Sequence, residues 1–334
     1  MDDLIKKVLA YYQVGPVTMT LIEAGHINIT WLIEGTEDKK FILQKMNPIF
    51  PAEIHKDIYT SIKCLHDNDI MAPQIVKNID GQLVSNLDGA TWRMQEYISG
   101  ENFEVIPSED HAFNASKSLA EIQNCLKNNL INTSKKTVGH DTIKHLKEFE
   151  YALSKHPEHA YIKSMNKIYL EISELLGSIP KMDSTSSQLC HGDPKLTNIL
   201  FKHGASEVQS WVDFDTVGPL HPLDELGDAI RDWCNPLSED SPDSYLDAKF
   251  LTATVDGYRS TIITDRGYQK EAISFHIQRI TLELAARFAA DVLNESYFGW
   301  DNKRFERAAA HNLMRTQGQL NLFYTVKKQK NSFY

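Results

Sequence analysis

Leu189-Cys190-His191-Gly192-Asp193-Pro194-Lys195-Leu196-Thr197-Asn198-Ile199-Leu200-Phe201 places a polar loop between two short apolar runs. The loop carries His, Asp and Asn as H-x-D-x-x-x-x-N, and a further strand-like run, Val208 to Asp215, ends in Asp213-Phe214-Asp215. This pattern predicts a hairpin from Asn198-Ile199-Leu200-Phe201 back to Ser210-Trp211-Val212, which brings Asn198 and Asp213 together. Phosphoryl transfer asks little covalent chemistry of a protein, but it needs metal on the phosphates and an acceptor oxygen held in line. Asp193 is the candidate catalytic group that accepts or orients the proton of the attacking hydroxyl. Asn198 and Asp213 are the candidate Mg²⁺ ligands, one neutral and one charged. Either piece alone reads as an ordinary turn or strand end, since Asp and Gly are common there; the combined pattern outweighs that reading. His191 reads as a structural brace of the loop. Asp215 shares a face with Asp213 in an extended chain, so it either also approaches the metal or stands as a plain strand-end carboxylate.

Outward from the loop, the chain divides in character. Leu4, Ile5, Val8, Leu9 and Tyr12 recur at helical spacing. Short β-branched runs follow at 17–22, 28–34 and 40–45, then a helical pattern over 52–66 and strand-like pieces at 74–79, 82–87 and 91–98. Near Ser99-Gly100-Glu101-Asn102 the pattern changes, and from Glu109 most of the sequence is helical, with stripes such as Leu119, Ile122, Leu126 and Ile162 to Leu176. Asn128 to Gly139 is polar and reads as a surface connection. The expectation is an α+β protein: a small antiparallel β-rich N-terminal lobe over 1–97, a hinge near 95–100, and a large mainly helical lobe over 98–334.

Composition narrows the function classes. The 334 residues are 42% hydrophobic and 24% charged, the balance of a globular chain long enough for two lobes. The net charge of −10, from 35 basic and 45 acidic residues, argues against a nucleic-acid partner. Cys64, Cys125, Cys190 and Cys234 form no C-x-x-C pair, so neither a zinc site nor a disulfide framework is indicated. Met1 to Lys7 lacks an apolar signal core and no run approaches the roughly 20 apolar residues of a membrane span. A cytoplasmic protein without membrane contact is expected.

His191, Asp193, Asn198 and Asp213 match the catalytic loop and magnesium-binding Asp of a known family. The sequence resembles the aminoglycoside phosphotransferase and choline kinase-like branch of the protein-kinase fold. Gly25-His26-Ile27-Asn28, Phe41 to Asn47, Gly227-Asp228-Ala229-Ile230-Arg231, Tyr297-Phe298 and His311-Asn312-Leu313 resemble the N-acetylhexosamine 1-kinases within it. The resemblance implies a two-lobed protein-kinase-like fold, ATP and Mg²⁺ as nucleotide and cofactor, and a small-molecule sugar as acceptor.

It also implies a nucleotide site. The first hairpin turn, Glu23 to Asn28, lies where such kinases drape a loop over the phosphates, with Gly25, His26 and Asn28 as candidate contacts, though it holds one glycine instead of G-x-G-x-x-G. His26 either donates to a phosphate or simply faces solvent. Aligning the third strand with V-A-I-K puts Gln44 at the phosphate-lysine position, while Lys45 serves there only if a bulge shifts the register, with Glu53 as its ion-pair partner. Trp92 to Ile98 reads as the last strand of the lobe running into the hinge, so the backbone groups of Glu96 and Ile98 are candidates for pairing with adenine.

Four residues are candidate substrate contacts: Arg231, Arg287, Tyr297 and Trp300. Asp228 and Arg231 lie three apart on one helix face, as a structural ion pair or a substrate clamp, with Asp228 read as structural. Arg287 sits in an apolar helix and needs a partner, either a carboxylate or the substrate. Tyr297 and Trp300 either stack on a pyranose ring or pack internally.

The leading function is transfer of the ATP γ-phosphate to the anomeric hydroxyl of an N-acetylhexosamine. Aminoglycoside, choline or another small alcohol is the second acceptor class, for which Glu239-Asp240-Ser241-Pro242-Asp243 is a candidate acidic patch. A non-catalytic nucleotide-binding regulator is the alternative of another kind; the presence of Asp193, Asn198 and Asp213 weighs against it.

Overall fold

A computed structural model describes residues 2–15, 17–22, 27–35, 39–50, 53–128, 140–180, 187–262 and 270–329. Helix α1 (Asp2–Ala10) precedes strands β1 (Thr18–Ile22), β2 (Ile29–Glu34) and β3 (Lys40–Lys45), then α2 (Ile54–His66), β4 (Ile75–Val76), β5 (Ser85–Leu87) and β6 (Ala90–Glu96). These strands form one antiparallel sheet in the order β1-β2-β3-β6-β4, with β5 also on β6. Alternation decides its two faces. Trp31, Ile33, Leu43, Trp92 and Met94 bury against Ile5, Val8 and Leu9 of α1 and Tyr12 of the turn after it. The opposite face carries Gln44 and Arg93, paired across β3 and β6.

The strands predicted over 74–79 and 82–87 shrink to β4 and β5. Asn78 ends the first of them: its side-chain oxygen accepts from the backbone of Asp80 and Gln82, and its own N–H donates to Gln82, closing an Asx-type turn onto Gly81.

Next come α3 (Glu109–Leu126), α4 (Thr142–Lys155), α5 (Ile162–Ser178), β7 (Gln188–Cys190), β8 (Ile199–Phe201), β9 (Val208–Trp211) and β10 (Gly218–Leu220). Helices α6 (Pro222–Trp233), α7 (Ala248–Arg259), α8 (Lys270–Asn294) and α9 (Ala308–Lys328) complete the chain. Ser108 caps α3 by accepting from His111 N–H. Ile54, Ile58, Ile62 and Leu65 of α2, spaced at helical intervals, bury in the same cluster as α3, α6, α7 and the β8–β9 hairpin. A separate apolar cluster joins α4, α5, α8 and α9. Ser99-Gly100-Glu101 is zipped onto β8: Glu101 and Phe201 exchange both backbone hydrogen bonds, at 2.9 and 2.8 Å. Among the described residues, no helix is long and apolar enough to cross a membrane. Residues 129–139 of the predicted polar connection lie outside the described residues.

Candidate active site

The hairpin forms as its alternation predicts. Ile199 pairs with Trp211, and Val212 N–H donates to the Asn198 carbonyl at 2.9 Å, which places the end of β9 beside Asn198. Asn198 Nδ2 donates to the Asp193 carbonyl at 2.9 Å. Only a nitrogen can donate there, so the amide orientation is set and Oδ1 is the atom left for a cation. Asp193, Asn198 and Asp213 are therefore brought together. Lys195 Nζ lies 2.9 Å from Asp193 Oδ2, with the lysine side chain half exposed.

His191 is fully buried, edge-on to Trp211 and packed on Phe214. Its Nε2–H donates to the Val212 carbonyl at 2.9 Å, tying the loop to the strand that carries Asp213. Burial holds its pKa below the ordinary value, so the ring is neutral. That is a brace.

Helix α6 holds the loop at three points on one face, two turns apart. Glu225 Oε1 accepts Gly192 N–H at 2.7 Å, Asp232 Oδ2 accepts Leu196 N–H at 2.8 Å, and Trp233 Nε1–H donates to the Pro194 carbonyl at 2.8 Å. Glu225 is itself held by Gln123 of α3 at 2.7 Å. Burial pushes the Asp232 carboxyl up to about 6. The loop also needs glycine at its second position. Gly192 has φ +88°, and a Cβ there would lie 2.3 Å from the Thr216 carbonyl oxygen. Gly192→Ala is therefore expected to cost at least the roughly 1–3 kcal/mol of a strained backbone position, read as a lower urea midpoint together with loss of turnover. An unchanged midpoint would contradict this packing.

Asp213 itself has φ +63°, left-handed for a residue with a side chain. Its carboxyl is pushed up to about 7, chiefly by burial, with the negative fields of Asp215 and Asp193 adding, and Arg93 and Lys195 opposing. A cluster of carboxylates that resists ionisation in this way suits a divalent cation, which would replace the proton. The sign follows. Below pH 7 the proton competes, so the apparent Mg²⁺ affinity is expected to fall toward tenfold per pH unit down to about pH 5, measured by titrating Mg²⁺ with a non-hydrolysable ATP analogue. A flat profile would remove Asp213 from the metal.

The sheet side of the site differs from expectation. Asp215 is 2% exposed and turned away from solvent. Its Oδ1 lies 2.6 Å from Arg93 Nη1 and its Oδ2 accepts from Asn28 Nδ2 at 2.7 Å, so both oxygens are engaged by the sheet lobe. Asn28 is likewise committed, because its Oδ1 accepts Asn47 N–H at 2.9 Å. It acts on the Asp215 turn and on the segment after β3. Gln44 Oε1 accepts from Arg93 Nε and Nη2 at 3.2 and 2.6 Å. The β3 ladder runs in register through Lys45, with no bulge, so Lys45 falls on the Leu43 face toward α1 and away from the cleft. No ion pair joins it to Glu53 among the described residues. Breaking a buried pair such as Arg93–Asp215 by deleting one partner costs about 3–5 kcal/mol, because the other charge is stranded.

Glu96 N–H is donated to the Gln74 carbonyl at 2.9 Å, which leaves its carbonyl, with Ile98, as the candidate group for adenine. Gly25 and His26 lie outside the described residues.

On the helical side, Arg231 is buried and engaged twice: Nε to Asp228 at 2.9 Å and Nη1 to Glu239 at 3.0 Å. Asp228 also faces His140 at 3.6 Å. Burial disfavours the His140 cation, but Glu283 and Asp228 more than offset it and raise the pKa to about 10. Asp240, next to Glu239, pairs with Arg315 at 2.6 Å and His311 at 3.0 Å, and Arg315 Nη1 donates to the Gly299 carbonyl at 2.8 Å. This run of contacts leads from Arg231 to the loop carrying Tyr297 and Trp300, which are 59% and 39% exposed. Buried Asp291 shapes that loop by accepting the N–H groups of Ser296, Tyr297 and Phe298 at 3.0, 3.0 and 2.9 Å. Among the described residues Arg287 pairs with no carboxylate; its guanidinium lies over the Tyr297 and Phe298 rings at 5.9 and 5.6 Å.

Sequence reasoning missed Arg93, Glu225, Asp232, Trp233 and Asp291. A signal existed for the α6 residues, since positions 225, 232 and 233 recur at helical spacing on the face toward the loop. Arg93 is also flagged by alternation, as a lone charge between Trp92 and Met94.

A sheet lobe closed against helices through a braced Asp–Asn–Asp hairpin defines a kinase-like fold. The chain belongs to the phosphotransferase enzyme family, whose model matches residues 18–261. Solved structures with this fold include a microcompartment-associated aminopropanol kinase, 17% identical with a TM-score of 0.70 over 100% of this chain and 98% of that one. Amicoumacin kinase in complex with AMP-PNP and Ca²⁺ is 14% identical, with a TM-score of 0.65 over 95% and 92%. The Plasmodium vivax ethanolamine kinase is 14% identical, with a TM-score of 0.58 over 92% and 83%.

Proposed function

We propose that this phosphotransferase moves the γ-phosphoryl group of ATP to a hydroxyl of a small molecule, and that the acceptor is the anomeric hydroxyl of an N-acetylhexosamine. The observation that carries the reaction class is the convergence of Asp193, Asn198 and Asp213 on a hairpin held by three bonds from α6. Asp193 takes the proton of the acceptor hydroxyl as it attacks. Asn198 Oδ1 and the Asp213 carboxylate are the groups that hold Mg²⁺. When bound, that ion neutralises charge on the phosphates. The nucleotide lies between the sheet lobe, residues 1–97, and the helical lobe, with adenine against Glu96 and Ile98. AMP-PNP and Ca²⁺ in the related amicoumacin kinase support ATP and a divalent cation here.

Two observations favour a neutral sugar over a polycationic acceptor. The stretches Phe41 to Asn47, Gly227 to Arg231 and His311-Asn312-Leu313 resemble the N-acetylhexosamine 1-kinases. Glu239 and Asp240, the first two acids of the acidic run, are already paired with Arg231 and Arg315, which lessens the negative field they offer an aminoglycoside. The test is ADP release with Mg²⁺ over a panel of N-acetylhexosamines, plain hexoses, aminoglycosides, choline and amino alcohols. The reading expects the highest kcat/KM with an N-acetylhexosamine. Preference for a cationic acceptor overturns the sugar assignment, and no turnover with any acceptor favours the nucleotide-binding regulator.

A further inference from the structure

We propose that Arg93 is a positioning residue that fixes the Asp213-Phe214-Asp215 turn from the sheet, so that the buried cation of this lobe sits on β6 and acts through Asp215, not on a phosphate. The inference rests on the phosphotransferase reading for its catalytic consequence, while its structural part stands alone. In protein kinases a lysine on the third strand pairs with a glutamate of the following helix. Here the third strand offers the neutral Gln44, and Arg93 stands directly opposite it in the ladder. At 1% exposure, with Nε and Nη2 on Gln44 and Nη1 on Asp215, the guanidinium is spent on protein. Its planar fork suits this three-point hold, which a single ammonium does not reproduce.

The elements packed around the pair agree. Helix α2, which supplies the acidic partner in protein kinases, presents His55 here, 4% exposed. Burial, and then the field of Arg93, depress its pKa to about 4, so it is neutral and does not compete with Arg93 as a cation for Asp215. Asp215 is accordingly the carboxylate paired with Arg93 among the described residues. Its second oxygen is held by Asn28, whose own side chain is fixed by Asn47 N–H, so the turn is gripped from β6 and from the residue that opens the β2–β3 hairpin. On the other side, Thr216 Oγ1–H donates to the His191 carbonyl at 3.0 Å. Between these grips Asp213 keeps a left-handed backbone, a conformation that persists only where its surroundings impose it.

The experiment compares wild type with Arg93→Met/Asp215→Asn, which strands no buried charge, and with Arg93→Lys. Two readouts are taken: amide hydrogen exchange of residues 212–217 in the nucleotide-free protein, and the Mg²⁺ half-saturation and kcat of ATP turnover. In the folded double variant, exchange over 212–217 is expected to accelerate about tenfold or more. Mg²⁺ half-saturation rises about 10–100-fold, the range for losing a group that orients a metal ligand. kcat falls while the KM for ATP at saturating Mg²⁺ stays within about threefold, and Arg93→Lys does not restore either readout. Wild-type exchange in the double variant overturns the brace. A loss confined to the KM for ATP also overturns it, because Arg93 would then act on the nucleotide. If the wild-type chain itself turns over no ATP, the phosphotransferase reading fails, and the exchange comparison still decides the brace.

Discussion

Asp193→Ala is expected to lower kcat by about 10²–10⁴-fold, the range for losing a positioned general base, with nucleotide affinity unchanged. The side chain is separable from the scaffold that presents it. The loop backbone is held by Glu225, Asp232 and Trp233 of α6 and by His191, and none of these contacts uses the Asp193 carboxylate. The Asp193 carbonyl, which receives Asn198 Nδ2–H, survives the substitution. Among the described residues the side-chain partner lost is half-exposed Lys195, so little stability goes with it. Steady-state ADP release together with calorimetric titration of an ATP analogue checks both halves. Near-wild-type turnover would remove Asp193 from the chemistry.

Asp213→Ala should abolish Mg²⁺-supported transfer outright. Of the two proposed protein ligands, Asn198 would contribute a neutral oxygen, so the carboxylate would supply the charge that draws a dication from water. The fold is expected to tolerate the change and even to gain by it in the absence of metal. A carboxyl whose folded pKa is raised from 3.8 to about 7 destabilises the native state as pH climbs through that window, because the unfolded chain ionises first. The variant should therefore melt no lower than wild type at pH 7.5 without Mg²⁺, yet show no stabilisation when Mg²⁺ and ATP analogue are added. Unchanged magnesium dependence of turnover would refute the placement.

The grouping of the three candidate residues was legible because the hairpin is local. Asp193, Asn198 and Asp213 fall on one loop and the strand that returns beside it, so spacing alone brings them together, as Val212 N–H on the Asn198 carbonyl shows. His191 was legible as a brace for the same reason. What supports these groups comes from far along the chain, where spacing carries no information about contact. Arg93 meets Asp215 only because β6 lies next to β3 and the sheet's second face looks onto the turn. The same geometry takes Lys45 to the α1 side and turns Asp215 from a possible metal ligand into the anchor of an interlobe pair. Arg231 and Asp228 had the helical spacing of an ion pair, and the structure adds Glu239 and His140, which no periodicity announces. The short β4 and β5 show local chemistry overruling an apolar pattern, since the Asn78 side chain takes the hydrogen bonds that a longer strand needs.

The most direct test of the central claim is ³¹P NMR of the wild-type protein with ATP, Mg²⁺ and N-acetylglucosamine or N-acetylgalactosamine. The account expects ATP to be consumed in step with ADP, and a new sugar-phosphate resonance coupled to the anomeric proton, with both absent for Asp193→Ala over the same period. A phosphate signal coupled to any other sugar position would contradict the anomeric assignment, and intact ATP with every acceptor tried would contradict the kinase itself.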